Sequence, residues 1–157
     1  MSEWKPVEPR PAAVVVLLRD RPGGGVETFM VRRHIRSEFV PDVFVFPGGS
    51  VKPSDVASES TPPCAPVENE QTPLGSGFRV AAIRECFEEA GVLLARRGKK
   101  PLEISPAEVE HYAELRSAVN AGELTLAELA TREGLTLTTD ELHHWAHWIT
   151  PEGFPPK

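Results

Sequence analysis

The segment Arg84-Glu85-Cys86-Phe87-Glu88-Glu89-Ala90-Gly91-Val92 places three carboxylates within five residues, followed at once by a glycine and an apolar run. Wound as a helix from Phe78 at about 100° per residue, Glu88, Glu85 and Glu89 fall at roughly 280°, 340° and 20°. Val80, Ile83, Phe87 and Ala90 gather on the far side, at roughly 120–200°. A chain carrying this segment is committed to a helix over 78–90 with one face turned to a core and another concentrating negative charge. Gly91 suits the left-handed residue that ends a helix, and Val92-Leu93-Leu94 can begin a strand.

Spacing alone leaves two readings of the acidic stripe open. Most glutamate clusters on helices are solvated surface. Against that, Glu85 faces Glu88 at i+3 and Glu89 at i+4, and each like-charge pair is destabilising by about 0.2–0.5 kcal/mol. Arg84 offsets Glu88 in the less favourable orientation, and no other cation follows until Arg96. Carboxylates converging without cations are what a hard divalent ion requires.

With 157 residues, 40% of them hydrophobic, the chain reads as one domain with a real core. A formal net charge of −6 argues against a nucleic-acid-binding surface. Cys64 and Cys86 are the two cysteines, and Cys86 lies in the helix, so a disulfide framework is not expected and a reducing, cytoplasmic compartment is. The apolar run Ala12–Leu18 is too short to span a membrane and has no signal-peptide pattern around it.

Residues 1–11 read as an irregular arm. Ala12–Leu18 reads as a buried strand, Asp20–Gly25 as a turn, and Val26–Arg32 as a second strand forming a hairpin with the first. Val43–Phe46 is a third strand, stopping at Pro47-Gly48-Gly49. From Ser50 to Gly77 prolines punctuate a polar stretch with no apolar period, and its composition favours disorder around 57–72. A strand over Val92–Ala95 and a basic turn over Arg96–Lys100 follow the acidic helix. Capping boxes at Ser105–Glu108, Thr125–Glu128 and Thr138–Glu141 predict a helical region over 105–150, whose last helix runs from Leu142 to Ile149. Strands, loop, helix, strand and then helices make the chain α+β, with a mixed or antiparallel sheet.

With Pro47-Gly48-Gly49 upstream, Arg84–Val92 resembles the second half of the Nudix box, Arg-Glu-apolar-any-Glu-Glu-any-Gly-apolar, with Cys86 in the apolar place. The first half is present in altered form: Gly49, five residues, then Asp55 where that family usually has Glu. A long spacer, residues 56–83, stands where seven positions are usual, so that 56–77 reads as an insertion loop within a single Nudix-like domain over 1–157. The interrupted box, the approach Phe39–Gly49 and the segment Leu124–Pro151 resemble the branch of peroxisomal coenzyme A diphosphatases and their bacterial relatives. In that branch the Trp-Ile-Thr-Pro segment leads into an Arg-Phe-Asp-Thr-like strand, so the chain reads as C-terminally truncated at Lys157.

The resemblance implies a mixed β-sheet flanked by helices and a Mg²⁺-dependent hydrolase, with Mn²⁺ as an alternative ion, acting on a nucleoside diphosphate joined to another group. Glu85, Glu88 and Glu89 would hold the metal. Glu88 and Glu89 would be the essential pair for catalysis, and Arg84 would orient a glutamate. Gly48 and Gly49 would let the backbone pass close to the metal-bearing helix. Asp55 is either an outer carboxylate or a turn residue. The implied partner is a small nucleotide-type substrate, with no nucleic acid or membrane, and homodimers are common in the family. The altered box and short C-terminus leave a non-catalytic Nudix-like nucleotide-binding domain as the second reading. His143 and His147 are spaced like a zinc pair but lack the glutamate such a motif needs, so they read as an exposed face beside buried Trp145 and Trp148.

Overall fold

The computed structural model describes residues 9–33, 35–36, 42–58, 61–67 and 77–149. Along them run β1 Ala12–Val14, β2 Leu18–Asp20, β3 Val26–Thr28, β4 Val31–Arg32, β5 Phe44–Val45 and β6 Gly48–Ser50. Then come α1 Pro53–Ser58, α2 Phe78–Ala90, β7 Ala95–Arg97, β8 Lys100–Pro101, α3 Val109–Ala121, α4 Leu126–Arg132 and β9 Thr136–Leu137, with a 3-10 turn over Thr139–Glu141. The class is α+β, and the acidic helix occupies the expected residues.

The first apolar run is two strands rather than one, and it is not buried on both sides. Ala13 and Val15 are buried while Val14, Val16 and Leu18 are exposed. A period of two is concealed when every residue of a half-buried strand is apolar. β1 pairs antiparallel with β6, setting Ala13 opposite Gly49 and Val14 opposite Gly48. The glycine pair expected to stop a strand therefore forms one, because pairing uses backbone groups that glycine has like any residue. β2 and β3 make the expected hairpin, with its turn closed by the Arg21 N–H donating to Gly25 O at 2.9 Å. β4 pairs with β5. The strand expected from Val92 begins at Ala95, and the basic run becomes the β7–β8 hairpin, with β9 on the other side of β7.

α2 buries two faces. Val80, Ile83 and Phe87 join Tyr112, Val119, Leu126, Leu129 and Leu137 in the larger core cluster. Ala81, Ala82 and Cys86 pack with Ala13 and Val15 of the β1 layer in a second. The small side chains on that side let β1 and β6 lie close across the helix.

The insertion is ordered where the structure describes it. Residues 61–67 lie along β9: the Ala65 N–H donates to Leu137 O at 3.0 Å and the Leu137 N–H to Pro63 O at 2.9 Å. The Thr139 hydroxyl donates to Ala65 O at 2.7 Å. The disorder expected around 57–72 is thus corrected for 57–58 and 61–67, where backbone pairing supplies what side-chain pattern does not. The rest of that stretch, the arm 1–8, Phe39–Pro41 and the tail from Thr150 lie outside the described residues.

The C-terminal region is less helical than its caps predict. The Thr125–Glu128 box forms in full and starts α4. Ser105 donates to Glu108 through N–H and hydroxyl, yet α3 begins only at Val109. The third box yields a single 3-10 turn, with no side-chain cap at Thr138 and extended backbone at Leu142. Residues 142–149 form no helix, and Trp145 and Trp148 are 92% and 88% exposed rather than buried. A helix that short is sustained only by burying an apolar face, and among the described residues nothing covers these rings. The spacing of His143 and His147 is therefore not helical, and both are exposed.

These packing differences separate two sets of substitutions. Leu129→Ala removes a fully buried side chain and is expected to lower unfolding free energy by about 2–5 kcal/mol. Trp145→Ala and Trp148→Ala are expected to stay within about 0.5 kcal/mol of the unsubstituted chain. Urea denaturation followed by circular dichroism measures both.

Candidate active site

The short helix α1 opens with Pro53 at its first position, where a missing N–H is harmless. Asp55, two residues on, turns its carboxylate back to the Lys52 N–H at 2.7 Å, giving half of a capping box. Asp55 is almost wholly buried. A carboxylate so placed must be paired, and its partner comes from the far side of the insertion.

That partner is Arg84 in α2, also buried. Its Nε donates to Asp55 Oδ1 at 3.0 Å and its Nη2 to Oδ2 at 3.0 Å, a two-pronged pairing. The same Nη2 donates to Ser50 O at 2.7 Å, tying down the end of β6. Nη1 donates to Glu85 Oε1 at 2.8 Å and to Glu88 Oε2 at 3.1 Å. Burial works against the charged guanidinium, but the hydrogen bonds to Asp55 and Glu85 and their charges outweigh it, holding its pKa above the usual arginine value. Of the two roles open to Asp55, the geometry gives a third: it is the internal counter-ion of Arg84.

The three glutamates each meet a different partner. Glu85 lies under Gly49, where an added Cβ would come within 2.5 Å of the carboxylate and push it from its place. Glu89 accepts the Gly48 N–H at 3.1 Å. Glu88 accepts Lys52 Nζ at 3.2 Å on Oε1 while Arg84 holds Oε2. Behind them, Arg116 of α3 donates through Nε and Nη2 to Glu88 O at 3.0 and 2.8 Å, and through Nη2 to Glu89 O at 3.0 Å. Those carbonyls belong to the unpartnered last turn of the helix. Gly91 ends it in the left-handed conformation, its N–H donating to Phe87 O at 3.0 Å.

Every glutamate of the sequence-predicted stripe, together with Arg84, Gly48 and Gly49, is therefore within one small region. Lys52 and Arg116 join them without having been expected. A cation inside the first half of the box was an available sign for Lys52, whereas nothing local marks Arg116. Burial raises the pKa of Glu85, with Arg84 opposing and Glu88 and Glu89 adding to the rise. Burial, helped by Glu89, also pushes the Cys86 thiol up to about 11, so this free cysteine is inert at neutral pH.

Among the described residues no three carboxylate, imidazole or thiolate groups converge closely enough to hold an ion as they stand. The donor set still suits a hard divalent cation. Asp55, Glu85, Glu88 and Glu89 outnumber Arg84 and Lys52, and all their donors are oxygen. Beside the glycine pair lies an open trough of about 400 Å³, lined by Val14, Met30, Phe44 and Phe46 with Arg33 on its wall.

A Gly-Gly strand laid on a glutamate-rich helix, and locked to it by a buried arginine, is the architecture of a Nudix hydrolase box. The family model of the NUDT19 Nudix domain matches residues 64–156, and the chain belongs to that family of Nudix hydrolases. It is 32% identical over 190 residues to the acyl-coenzyme A diphosphatase NUDT19 of Gallus gallus, covering 92% of this chain and 50% of that protein. Identity to the Homo sapiens protein of the same name is 25%, covering 90% of this chain and 48% of that one. A Nudix hydrolase of Alicyclobacillus acidocaldarius superposes with a TM-score of 0.58 at 27% identity, over 83% of this chain and 57% of that chain. The chain spans about half the length, or less, of the curated relatives it matches.

Two substitutions probe the buried charges. Arg84→Met would strand Asp55 without its partner and is expected to destabilise the fold by about 3–5 kcal/mol. Glu85 titrates above its ordinary value of 4.5, so the folded chain binds its proton more tightly than the unfolded chain does. Its contribution therefore lowers stability as pH rises through that window. Glu85→Gln is expected to raise the thermal midpoint at pH 7 and to lose that advantage below pH 4.5, which melting curves across pH check.

Proposed function

We propose that the chain is a Mg²⁺-dependent pyrophosphohydrolase, with Mn²⁺ able to substitute. Its substrate would be a nucleoside diphosphate joined to another group: coenzyme A or acyl-coenzyme A first, ADP-ribose and other nucleotide sugars next. The observation that carries this reading is the closure of the split box. Asp55 and Ser50 from one half are held by Arg84 from the other, and this brings Glu89 to Gly48, Glu85 under Gly49 and Glu88 to Lys52. The names of the chicken and human relatives support the coenzyme A preference. Nudix hydrolases generally use divalent cations.

In this reading Glu88 and Glu89 are the essential metal ligands and Glu85 supports them. The ion, when bound, neutralises charge on the pyrophosphate and makes bound water more acidic. Arg84 does not reach substrate, since Asp55, Ser50, Glu85 and Glu88 use its donors; it fixes where the glutamates stand. One of these glutamates would act as base towards water, and Glu89 is kept at the strand edge by the Gly48 N–H. The open trough beside Gly48 would offer the rest of the substrate an apolar wall. We take residues 1–157 to act as one Nudix-like unit with 56–77 as an insertion in the box. Two free, buried thiols fit a cytoplasmic setting, and no helix of the described residues is long and apolar enough to cross a membrane.

A second reading, a non-catalytic nucleotide-binding domain, is favoured by one observation: each glutamate is already occupied by Lys52, Arg84 or Gly48. Incubating the protein with Mg²⁺ and coenzyme A, ADP-ribose or NADH distinguishes the two. Phosphate-containing products are expected, and Glu88→Gln or Glu89→Gln should reduce turnover by about 10²-fold or more. Binding without products supports the second reading, and neither binding nor products refutes both.

A further inference from the structure

Lys52 and Arg84 both contact the Glu88 carboxylate, yet they are held very differently. Arg84 is 3% exposed, and its guanidinium is fixed by Asp55 and the Ser50 carbonyl as well as by the glutamates. Removing it would strand Asp55 in the interior. Lys52 is anchored by its backbone N–H to Asp55, but its side chain is 45% exposed and Nζ reaches Glu88 Oε1 at 3.2 Å. An ammonium on a flexible stem can leave that oxygen without exposing anything buried.

We infer that Lys52 is a resident counter-cation, held on Glu88 until a divalent ion displaces it, and that it thereby sets the ion affinity of the site. The inference rests on the reading of this cluster as a divalent-ion site and goes beyond it by naming a residue that opposes loading. Three features support it. Glu88 has both oxygens engaged, and of its two partners only Lys52 is free to turn into solvent. Partly exposed pairs of this kind are weak and easily exchanged, and a doubly charged ion at the same oxygen is attracted more strongly than a singly charged ammonium. The capping geometry of α1, with Pro53 at its first position and Asp55 turned back to the Lys52 N–H, keeps the root of the lysine fixed beside Glu88. Without that cation the buried guanidinium alone would face Asp55, Glu85 and Glu88.

The test measures Mn²⁺ binding to the full chain by titration calorimetry, without substrate and without reading turnover. Lys52→Met and Lys52→Gln are expected to tighten Mn²⁺ binding by about three- to tenfold, whereas Lys52→Arg keeps the wild-type affinity. In a Glu88→Gln background, Lys52→Met should give no further tightening, because the oxygen it contests has lost its charge. Unchanged or weaker binding in Lys52→Met and Lys52→Gln overturns the inference. Equal tightening with and without Glu88 overturns it too, since the lysine would then act only through its general field. If the unsubstituted chain and all variants bind no Mn²⁺, the divalent-ion reading itself fails and this inference falls with it. Circular dichroism spectra that match the unsubstituted chain establish that each variant is folded.

Discussion

The guanidinium of Arg84 is where the two halves of the chain meet. It lies nearly without solvent and faces Asp55 of the short helix after the glycine strand, Ser50 at that strand's end, its neighbour Glu85, and Glu88 one turn further along its own helix. A buried positive charge tolerates this position only because carboxylates surround it. Removing the arginine would therefore disturb more than one contact. It would undo the reason for Asp55 to be inside and for Gly49 to press on Glu85.

This dependence explains how a box interrupted by a long insertion can still be one site. Chain distance between Asp55 and Arg84 has little bearing once a two-pronged ion pair spans it, because the loop between them adds entropy only slowly with length. Part of that insertion is itself fastened, with 61–67 lying along β9. On the opposite side, Arg116 reaches from α3 to the carbonyls of Glu88 and Glu89, so the helical region braces the end of the acidic helix. The glutamates are thus held from the strand side through their carboxylates and from behind through their backbone.

The helix and its three glutamates were legible because periodicity and a terminal glycine are local signals, and Phe78–Ala90 follows from them residue for residue. The hairpin over Leu18–Thr28 was legible for the same reason. Strand structure at Gly48–Ser50 was not, since it depends on pairing with β1 and its residues carry no β preference. Nor was the order in 61–67, which rests on backbone bonds to a strand seventy residues later. The exposed Trp145 and Trp148 show the opposite error: a capping pattern and an aromatic spacing describe what a helix would do if something covered it, and among the described residues nothing does. Within the site, residue types marked the acidic face of the helix, but the identity of the counter-charges came only from tertiary placement. Lys52 lies 36 residues from Glu88 in the chain and Arg116 lies 28.

The two-sided burial of α2 has a bearing on how the protein comes apart. Val80, Ile83 and Phe87 belong to the cluster built on α3, α4 and β9, while Ala81, Ala82 and Cys86 belong to the one built on β1. Leu94 and Leu142 touch both. A shared wall of this kind couples the two layers, because neither can lose its packing without exposing one side of the same thirteen-residue helix. The acidic helix is then the element through which melting of the strand layer is felt by the helical layer, and the described core should behave as one cooperative unit in hydrogen exchange.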